Sequence, residues 1–417
     1  MEKKNLLIVS YKIPYPLSQG GAIAQFFFLK KLTTVFNVTF CTIVSNQNQL
    51  NNLESLKQIV PEISLKVYQD SVNNEKESFE KQIIKHFDKL NRRVKKKLLY
   101  LFKRNRHVLN NNRLDNSFEF VHEEFVEFFK NVLEGEKYNI IQLEFFETLA
   151  LIPIIPKNIQ KIVVHHEVRS KRNGLINYSN TFYKHYIEKI TFNIEKTFLN
   201  MADSVVVFNE EDKDYLQEVS SKIQVSPFGI PKKLIVKKEV SRFFNKLIFI
   251  GSEFHFPNKE GLEWFLDIIY IPNIEIINWP LHITGFWSET FKKKYTIHKK
   301  VVFTGFVQNL GNIYENAMLV APIISGSGVR TKILEAFSNK IPVISTVFAS
   351  EGLYKQEKES NHIIHFNSST SFIKEFEILK QDPNLIIDLA NKGFNYFLLY
   401  FDEDLLFNKR LSIYNTK

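Results

Sequence analysis

Residues 325–335, which read Ser-Gly-Ser-Gly-Val-Arg-Thr-Lys-Ile-Leu-Glu, have the composition of a phosphate-binding loop. They follow an apolar run at 318–324 and lead into an amphipathic stretch, so they predict a strand, a loop and a helix in that order. Gly326 and Gly328, with Ser327 between them, allow the backbone to approach a ligand closely because glycine has no Cβ. The free N–H groups at a helix start suit a phosphate.

Three charged side chains follow these glycines at helical spacing. Arg330 and Lys332 would place positive charge in the first turn, where a diphosphate would bind. Glu335 falls one turn after Lys332 on the same face, where its carboxylate could accept hydrogen bonds from a ribose diol. A surface ion pair between Lys332 and Glu335, beside a simple glycine turn, explains the spacing equally well.

Polar groups in the first half of the chain also follow apolar runs. Gly20 and Gly21 come after the first such run, either as a turn or as a loop that approaches a ligand. His165 and His166 end the run at 161–166, and alternation along a strand would send them to opposite faces. We favour His166 as the histidine that reaches a ligand, since it is nearer the strand end. A packed, hydrogen-bonded core histidine is the alternative for each.

Further candidates adjoin these runs. Glu167 and Arg169 could orient a histidine, contact a substrate, or pair with each other. Ser252 and Asn258 follow an apolar run in the second half and could bind a ligand or cap a helix. Lys259 is the cation near them, which leaves most of a diphosphate's charge to Arg330 and Lys332.

The elements that would position these groups are short apolar strands alternating with helical stretches, and this rhythm occurs twice. The pattern predicts two doubly wound α/β domains that face each other, with ligands bound between them at the carboxyl ends of the strands. The predicted strands are 5–10, 37–44, 139–146, 161–166 and 203–209, and then 246–252, 281–285, 300–306, 318–324, 341–346 and 362–367.

The composition of the 417 residues is that of a globular protein, with 44% apolar and 24% charged residues. A single cysteine, Cys41, excludes a disulfide framework and a cysteine-ligated zinc site. Apolar runs are too short to span a bilayer or to form a secretory signal, so we expect a cytoplasmic protein. The net charge of +10 and the 39 phenylalanines leave nucleic acid, an anionic membrane and phosphorylated substrates open as partners.

Much of the positive charge lies in residues 81–113, which hold 12 Lys or Arg and one acid, Asp88. Apolar residues at three- and four-residue spacing predict a basic amphipathic helix there. It could bind the inner face of the plasma membrane, bind nucleic acid, or present a solvated face. Nucleic acid is not expected, because no aromatic stacking platform or reading motif accompanies the charge.

The order of motifs from residue 246 to residue 353 closely resembles the donor half of GT-B glycosyltransferases of family 4. It comprises an apolar strand, the glycine loop, Arg330 and Lys332, a helix with Glu335 followed by Ala, and a Pro-Val strand. This resemblance implies a GT-B fold and retaining transfer from a nucleotide sugar, without metal or another cofactor. It gives the ribose to Glu335 and the diphosphate to Arg330 and Lys332.

The same resemblance implies roles for the other candidates. A histidine near residues 165–166 lines the sugar site, Gly20-Gly21 corresponds to the glycine loop of the first domain, and polar contacts come from the loop holding Ser252 and Asn258. Many family members carry a second glutamate eight positions before the first, where this chain has Ser327. The donor sugar is therefore less constrained. Asp-x-Asp spellings at 212–214 and 402–404 lack the context of a metal site and fit solvated helix faces.

We therefore predict a glycosyltransferase that uses a glycan or lipid-linked acceptor in cell-surface polysaccharide or glycoconjugate biosynthesis. Residues 1–235 form an acceptor-side domain, 236–393 a donor domain, and 394–417 a helix that returns to the first domain, as the fold implies. Alternatives are another GT-B enzyme, such as a nucleotide-sugar epimerase, and a basic protein that binds nucleic acid or membranes.

Overall fold

The computed structural model of the chain describes residues 3–17, 19–70, 121–175, 180–220, 222–235, 239–307, 309–326, 329–353 and 361–415. Within them two parallel β-sheets, each flanked by helices, form two domains. The predicted basic helix at 81–113 lies outside the described residues, as do Ser327 and Gly328. None of the described helices is long and apolar enough to cross a membrane.

The first sheet has the strand order β3-β2-β1-β4-β5-β6-β7, and all its neighbouring pairs are parallel. Its strands are β1 (Asn5–Ser10), β2 (Asn37–Val44), β3 (Ser64–Gln69), β4 (Ile140–Glu144), β5 (Gln160–Val164), β6 (Ser204–Val207) and β7 (Ile223–Val225). The helices around it are α1 (Gly20–Val35), α2 (Gln47–Ile59), α3 (Glu123–Gly135), α4 (Arg169–Leu175), α5 (Thr181–Leu199) and α6 (Glu210–Leu216), with a 3₁₀ segment at Phe146–Ile154.

The second sheet repeats this topology with the order β10-β9-β8-β11-β12-β13. Its strands are β8 (Lys246–Ile250), β9 (Leu281–Thr284), β10 (Val301–Gly305), β11 (Ala317–Ala321), β12 (Val343–Ser345) and β13 (Ile364–His365). Its helices are α7 (Phe256–Trp264), continued by a π-helical turn at Phe265–Tyr270, then α8 (Ile274–Ile277), α9 (Glu289–Tyr295), α10 (Gly311–Tyr314), α11 (Thr331–Ser338), α12 (Ser369–Gln381) and α13 (Pro383–Tyr400). The predicted α/β class with two facing doubly wound domains is confirmed.

Burial explains which strands the sequence predicts. The central strands β1, β4, β5, β6 and β11 are covered on both faces, so they read as continuous apolar runs. Strands β3 and β7 stand at the edges of the first sheet and are only partly covered, so no apolar run marks them.

The chain crosses back to the first domain near its end. Helix α13 packs on α11 in the second domain, whereas α14 (Glu403–Asn415) packs on α1 in the first. The buried Arg410 of α14 donates from Nε to Ser226 Oγ at 2.7 Å, and the Tyr414 hydroxyl donates to the side-chain oxygen of Gln142 in β4. The crossing therefore lies at residues 401–402, and the predicted boundary at 394 falls inside α13.

Strand order sets the position of the ligand cleft. In each sheet the order reverses between two central strands, β1 and β4 in the first and β8 and β11 in the second. The loops that leave such a pair of strands run to opposite faces of the sheet, which opens a crevice at the carboxyl ends of the strands. The two crevices face each other, and the candidate site is built from the loops around them.

Candidate functional site

The second-domain side of the cleft is the loop between β11 and α11. Gly326 has φ +104°, a conformation open to glycine, and a Cβ there would lie 3.0 Å from the Pro257 ring. The Ser325 hydroxyl donates to the Glu260 carboxylate of α7, which anchors the start of the loop. Arg330 occupies the N-cap position of α11, so the free N–H groups of that helix point out of the loop.

Lys332 lies in the first turn of α11, and a side chain of α7 holds its ammonium group. Its Nζ donates to Asn258 Oδ1 at 2.6 Å, and Asn258 Nδ2 donates to the Ser252 carbonyl at 3.2 Å. Asn258 is thus buried behind the lysine and orients it, while Ser252 Oγ accepts from the Phe286 backbone N–H at 3.2 Å. Burial, and secondarily the charge of Arg330, lower the pKa of Lys332 to about 7.

Arg330 is enclosed where the two domains meet. Its guanidinium carbon lies 5.3 Å from the centroid of the Phe348 ring, a cation–π contact. Burial lowers its pKa, while the negative charges of Glu351, and of Asp212 and Glu167 in the first domain, act against that. The arginine remains a cation, influenced by acids of both domains.

Glu335 lies one turn further along α11. It is only partly exposed, and burial raises its pKa to about 7. The hydroxyl of the buried Tyr314 has no hydrogen-bond partner among the described residues, and the negative charge of Glu335 contributes to raising its pKa. Glu335 and the loop at 325–330 therefore belong to the same end of α11.

The first-domain side opposes this loop with the start of α1, which begins at Gly20. A Cβ at Gly20 would lie 3.2 Å from the side chain of Thr331, the first residue of α11. A Cβ at Gly21 would lie 3.0 Å from the Phe145 ring and 4.0 Å from His166 Nδ1. Two helix N-termini thus approach each other across the cleft.

His166 lies beside Gly21, and one of its two ring nitrogens already has a partner. Its Nε2 lies 2.5 Å from Glu144 Oε2 at the end of β4, and its ring stacks on Phe145 with centroids 3.8 Å apart. Its Nδ1 has no hydrogen-bond partner among the described residues. Burial lowers its pKa, so the ring is neutral, and a proton on Nε2 facing Glu144 leaves Nδ1 as an acceptor.

His165 points to the other side of the sheet, as alternation predicts. It is buried, and its Nε2 lies 2.9 Å from Glu195 Oε1 of α5. The same carboxylate accepts the backbone N–H of Arg169 at 2.7 Å, so it also fixes the start of α4. This contact places His165 behind the cleft wall, in a structural position, and leaves His166 as the histidine beside the glycine loop.

Glu167 and Arg169 mainly pair with other residues. Arg169 Nη2 donates to Glu147 Oε1 at 2.7 Å, and Arg172 Nη1 donates to Glu167 Oε2 at 2.6 Å. The direct separation between Arg169 Nε and Glu167 Oε2 is 4.0 Å. Lys259, the other cation considered, pairs with Glu253 at 2.9 Å and is directed away from Lys332. These ion pairs shape the rim of the cleft.

Three cleft residues carry no sequence motif. Phe145 has φ +71°, which is unusual for a bulky residue and places its ring under His166. Lys12 is the second residue after β1, and His255 directly precedes α7. Burial, then Lys332, Arg330, Arg172 and Lys12, lower the pKa of His255 to about 4. Only their shared position at strand ends could have indicated them.

Two stacked phenylalanines lie at the carboxyl ends of neighbouring strands of the second sheet. Phe286 and Phe306 follow β9 and β10, and their rings are parallel to within 5° with centroids 5.1 Å apart. About half of each side chain is exposed. An exposed aromatic face of this kind is suited to stacking on a planar ring.

The acids of the two Asp-x-Asp spellings have local partners. Asp212 is buried in the first turn of α6, where it accepts from Asn209 Nδ2 and from Lys171 Nζ, each at 3.0 Å. Asp402 accepts the backbone N–H of Asp404 at 3.0 Å at the start of α14. Both spellings therefore sit at helix starts, where acids are stabilised.

The two facing doubly wound domains have the architecture of the GT-B fold, and solved structures agree. Sucrose-phosphate synthase from Thermosynechococcus elongatus superposes with a TM-score of 0.67 at 14% identity, over 99% of this chain and 98% of that one. TarM gives 0.64 at 13% identity, over 99% of each chain. HepE from Anabaena in complex with UDP gives 0.60 at 10% identity, over 99% of this chain and 100% of that one. At these identities the likeness establishes the fold.

Residues 245–382 match the family model Glycosyl transferases group 1. An uncharacterized 44.6 kDa protein in the cps region of Klebsiella pneumoniae is 25% identical over 238 residues. That alignment covers 51% of this chain and 60% of the relative, so the chain matches less than two thirds of the relative's length. The resemblance to GT-B glycosyltransferases is confirmed, and membership of family 4 stays a prediction.

Proposed function

We propose that this protein transfers a sugar from a nucleoside-diphosphate sugar to a hydroxyl group of a glycan or lipid-linked acceptor. One observation carries the proposal: the N-termini of α1 and α11 meet across the cleft at the contact between Gly20 and Thr331. Arg330, Lys332 and Glu335 stand on one side of this contact and His166 on the other. This arrangement suits a diphosphate attached to a ribose and a sugar.

The chemistry follows from the placement of these charges. As the bond between the sugar and the β-phosphate breaks, negative charge grows on the phosphate oxygen. Arg330, Lys332 and the free N–H groups at the two helix starts would stabilise that charge, because they are fixed in position before the reaction. Burial of the site strengthens these interactions.

The remaining groups would position the two substrates. Glu335 would accept hydrogen bonds from the ribose diol, and the exposed faces of Phe286 and Phe306 would stack the base. His166 Nδ1 would accept a hydroxyl hydrogen of the transferred sugar. The roles predicted for Asn258 and Ser252 become indirect, since Asn258 holds Lys332 and Ser252 holds Asn258.

Retention at the anomeric carbon, and transfer without a metal or cofactor, are part of the proposal through the resemblance to family 4. We place the reaction in the biosynthesis of cell-surface polysaccharide or glycoconjugates. The cytoplasmic location and the membrane contact through residues 81–113 stay predictions, because that segment lies outside the described residues.

Glu335→Ala tests the donor site. The charged hydrogen bonds to the ribose are worth about 2 kcal/mol, so we expect UDP affinity to fall roughly 30-fold in calorimetry at pH 8, above the pKa of Glu335. Arg330→Ala should weaken UDP at least as much, because it removes a fixed cation. Glu377→Ala, on an exposed position of α12, is the matched control and should bind UDP as the unmodified protein does.

Failure of the donor assignment would be visible directly. If a folded Glu335→Ala variant binds UDP, and every other nucleoside diphosphate of a panel, as tightly as the control, Glu335 does not hold the ribose. A donor screen with nucleotide sugars, with and without acceptor, then separates transfer from epimerisation, since an epimerase converts its donor without acceptor.

A further inference from the structure

Lys12 places an ammonium group in the cleft on the first-domain side. It is the second residue after β1, a strand at which the first sheet reverses its order. Its Nζ lies 4.8 Å from the centroid of the Phe145 ring and 5.3 Å from that of Tyr11. Across the described residues no acidic side chain comes within ion-pair distance of it. The ammonium is thus half-buried against two aromatic faces.

The acids nearest to Lys12 are already matched by other cations. Glu147 pairs with Arg169 at 2.7 Å, and Glu167 pairs with Arg172 at 2.6 Å. These two acids are the largest influences that favour the charged form of Lys12, yet burial outweighs them and lowers its pKa. Each acid already pairs with an arginine, so neither acid neutralises the positive charge of Lys12 in the cleft.

An uncompensated, partly desolvated cation costs free energy unless a ligand supplies the missing charge. Such groups are concentrated at functional sites. The aromatic rings beside Lys12 offer, in addition, flat apolar faces on which the carbon face of a sugar ring can pack. The surroundings of Lys12 therefore suit a ligand that is both a sugar and an anion.

Lys12 belongs to the first domain, whereas the glycine loop with Arg330 and Lys332 belongs to the second. The positive charge of Lys12 contributes to lowering the pKa of His166 in the first domain. It makes a smaller contribution than Lys332, Arg330 and Arg172 to lowering the pKa of His255 in the second domain. The donor diphosphate already has Arg330, Lys332 and the two helix N-termini, so Lys12 is available for the other substrate.

We propose that Lys12 binds an anionic group of the acceptor, a carboxylate or a phosphate on the sugar that receives the transfer. This inference rests on the proposed function and adds to it the chemical class of the acceptor. An acidic sugar or a sugar phosphate would dock its ring against Phe145 and Tyr11 and its charge against Lys12. A neutral sugar would leave the ammonium without a partner.

The test compares three small probes on the full chain: methyl glucuronide, glucose 1-phosphate and the neutral methyl glucoside. Binding is followed by NMR titration of the UDP-saturated protein and, separately, of the free protein. We expect at least one anionic probe to bind about tenfold more tightly than methyl glucoside, the scale of a single charged hydrogen bond. Whichever anionic probe binds identifies the carboxylate or the phosphate as the recognised group.

Lys12→Met should abolish this preference, Lys12→Arg should keep part of it, and both should leave UDP affinity within about twofold. Lys157→Met, an exposed lysine of the same domain, is the control for lost charge and for folding. Two outcomes overturn the inference: equal binding of neutral and anionic probes by the unmodified protein, or a loss of UDP affinity in Lys12→Met as large as the loss of probe affinity. The second outcome would assign Lys12 to the donor diphosphate.

Failure of the proposed function would look different. If no nucleoside diphosphate binds the unmodified protein, the donor assignment is wrong, while the titration of the free protein still decides whether Lys12 selects anionic sugars.

Discussion

At the scale of single residues, the donor side of the cleft holds two groups of opposite charge type that titrate in the same range. The pKa of Lys332 is lowered to about 7 and that of Glu335 is raised to about 7, in both cases chiefly by burial. Each is therefore about half protonated at pH 7 when the cleft is empty. A bound nucleotide would act on them in opposite directions.

These opposite pKa changes predict how many protons the protein takes up or releases when the nucleotide binds. Diphosphate raises the pKa of Lys332, which takes up as much as about half a proton at pH 7, and ribose hydroxyls lower the pKa of Glu335, which releases a similar amount. We expect almost no net exchange on UDP binding to the unmodified protein, net uptake in Glu335→Gln, and net release in Lys332→Met. Calorimetry in buffers of different ionisation enthalpy measures this exchange. The same proton count in all three proteins would contradict the assignment.

Residue-scale prediction from sequence was effective where a motif is local and weak where contacts are distant. Arg330, Lys332 and Glu335 lie within the first two turns of one helix, so their spacing alone predicts that they are neighbours. His166, Phe145 and Lys12 arrive from three different strands, and no spacing relates them. The hydrogen bond from Lys332 to Asn258 joins residues 74 positions apart, which no sequence spacing indicates.

At the scale of elements, the close approach of α1 to its neighbours depends on the absence of side chains at its start. Gly21 leaves the space into which Phe145 and His166 stack. A methyl group there would lie 3.0 Å from the Phe145 ring, tighter than ordinary contact, so the ring and the histidine on it must move. The positions of Phe145 and His166 therefore depend on the absence of a side chain at the start of α1.

Gly21→Ala should therefore lower the rate of sugar transfer by about tenfold or more, because small displacements of positioning groups are costly in catalysis. UDP affinity should change less, since α11 supplies most of the diphosphate contacts. Gly135→Ala is a matched control, as a Cβ at that position meets nothing within 4 Å. Rate assays with acceptor and calorimetry with UDP make the comparison, and equal rates for the two variants would show that the fit at Gly21 is unimportant.

Prediction of elements followed burial. Central strands read as apolar runs because both their faces are covered, whereas the edge strands β3 and β7 gave no such signal. Helix α1 begins at Gly20 although glycines are poor helix formers, because tertiary contacts outweigh that preference here.

At the scale of the whole molecule, the two domains are joined by more than the cleft. Helix α14 inserts Arg410 and Tyr414 into the first domain, where Tyr414 donates to Gln142. Gln142 donates to Glu144, which contacts His166. Buried polar groups linked in this way support one another, because each would be costly to leave unpaired. The site histidine is consequently tied to a helix that follows the second domain in the chain.

Tyr414→Phe tests this link by removing a single hydroxyl with little change of shape. We expect the free energy of unfolding to fall by about 1 kcal/mol and the amides of β4 and β5 to exchange hydrogen faster. Tyr186→Phe, which removes an exposed hydroxyl on α5, is the control and should change neither. If amides of the second domain respond while those of β4 do not, α14 does not stabilise the first domain.

The return of α14 has a consequence for how the protein is made. The ribosome completes residues 5–225, the strands of the first sheet, long before residues 403–415 exist. Until those residues emerge, Ser226 lacks its guanidinium partner, and Gln142 lacks the Tyr414 hydroxyl. The polar network behind His166 should thus be completed only after the second domain has been synthesised, so the first-domain side of the cleft would take its final form last.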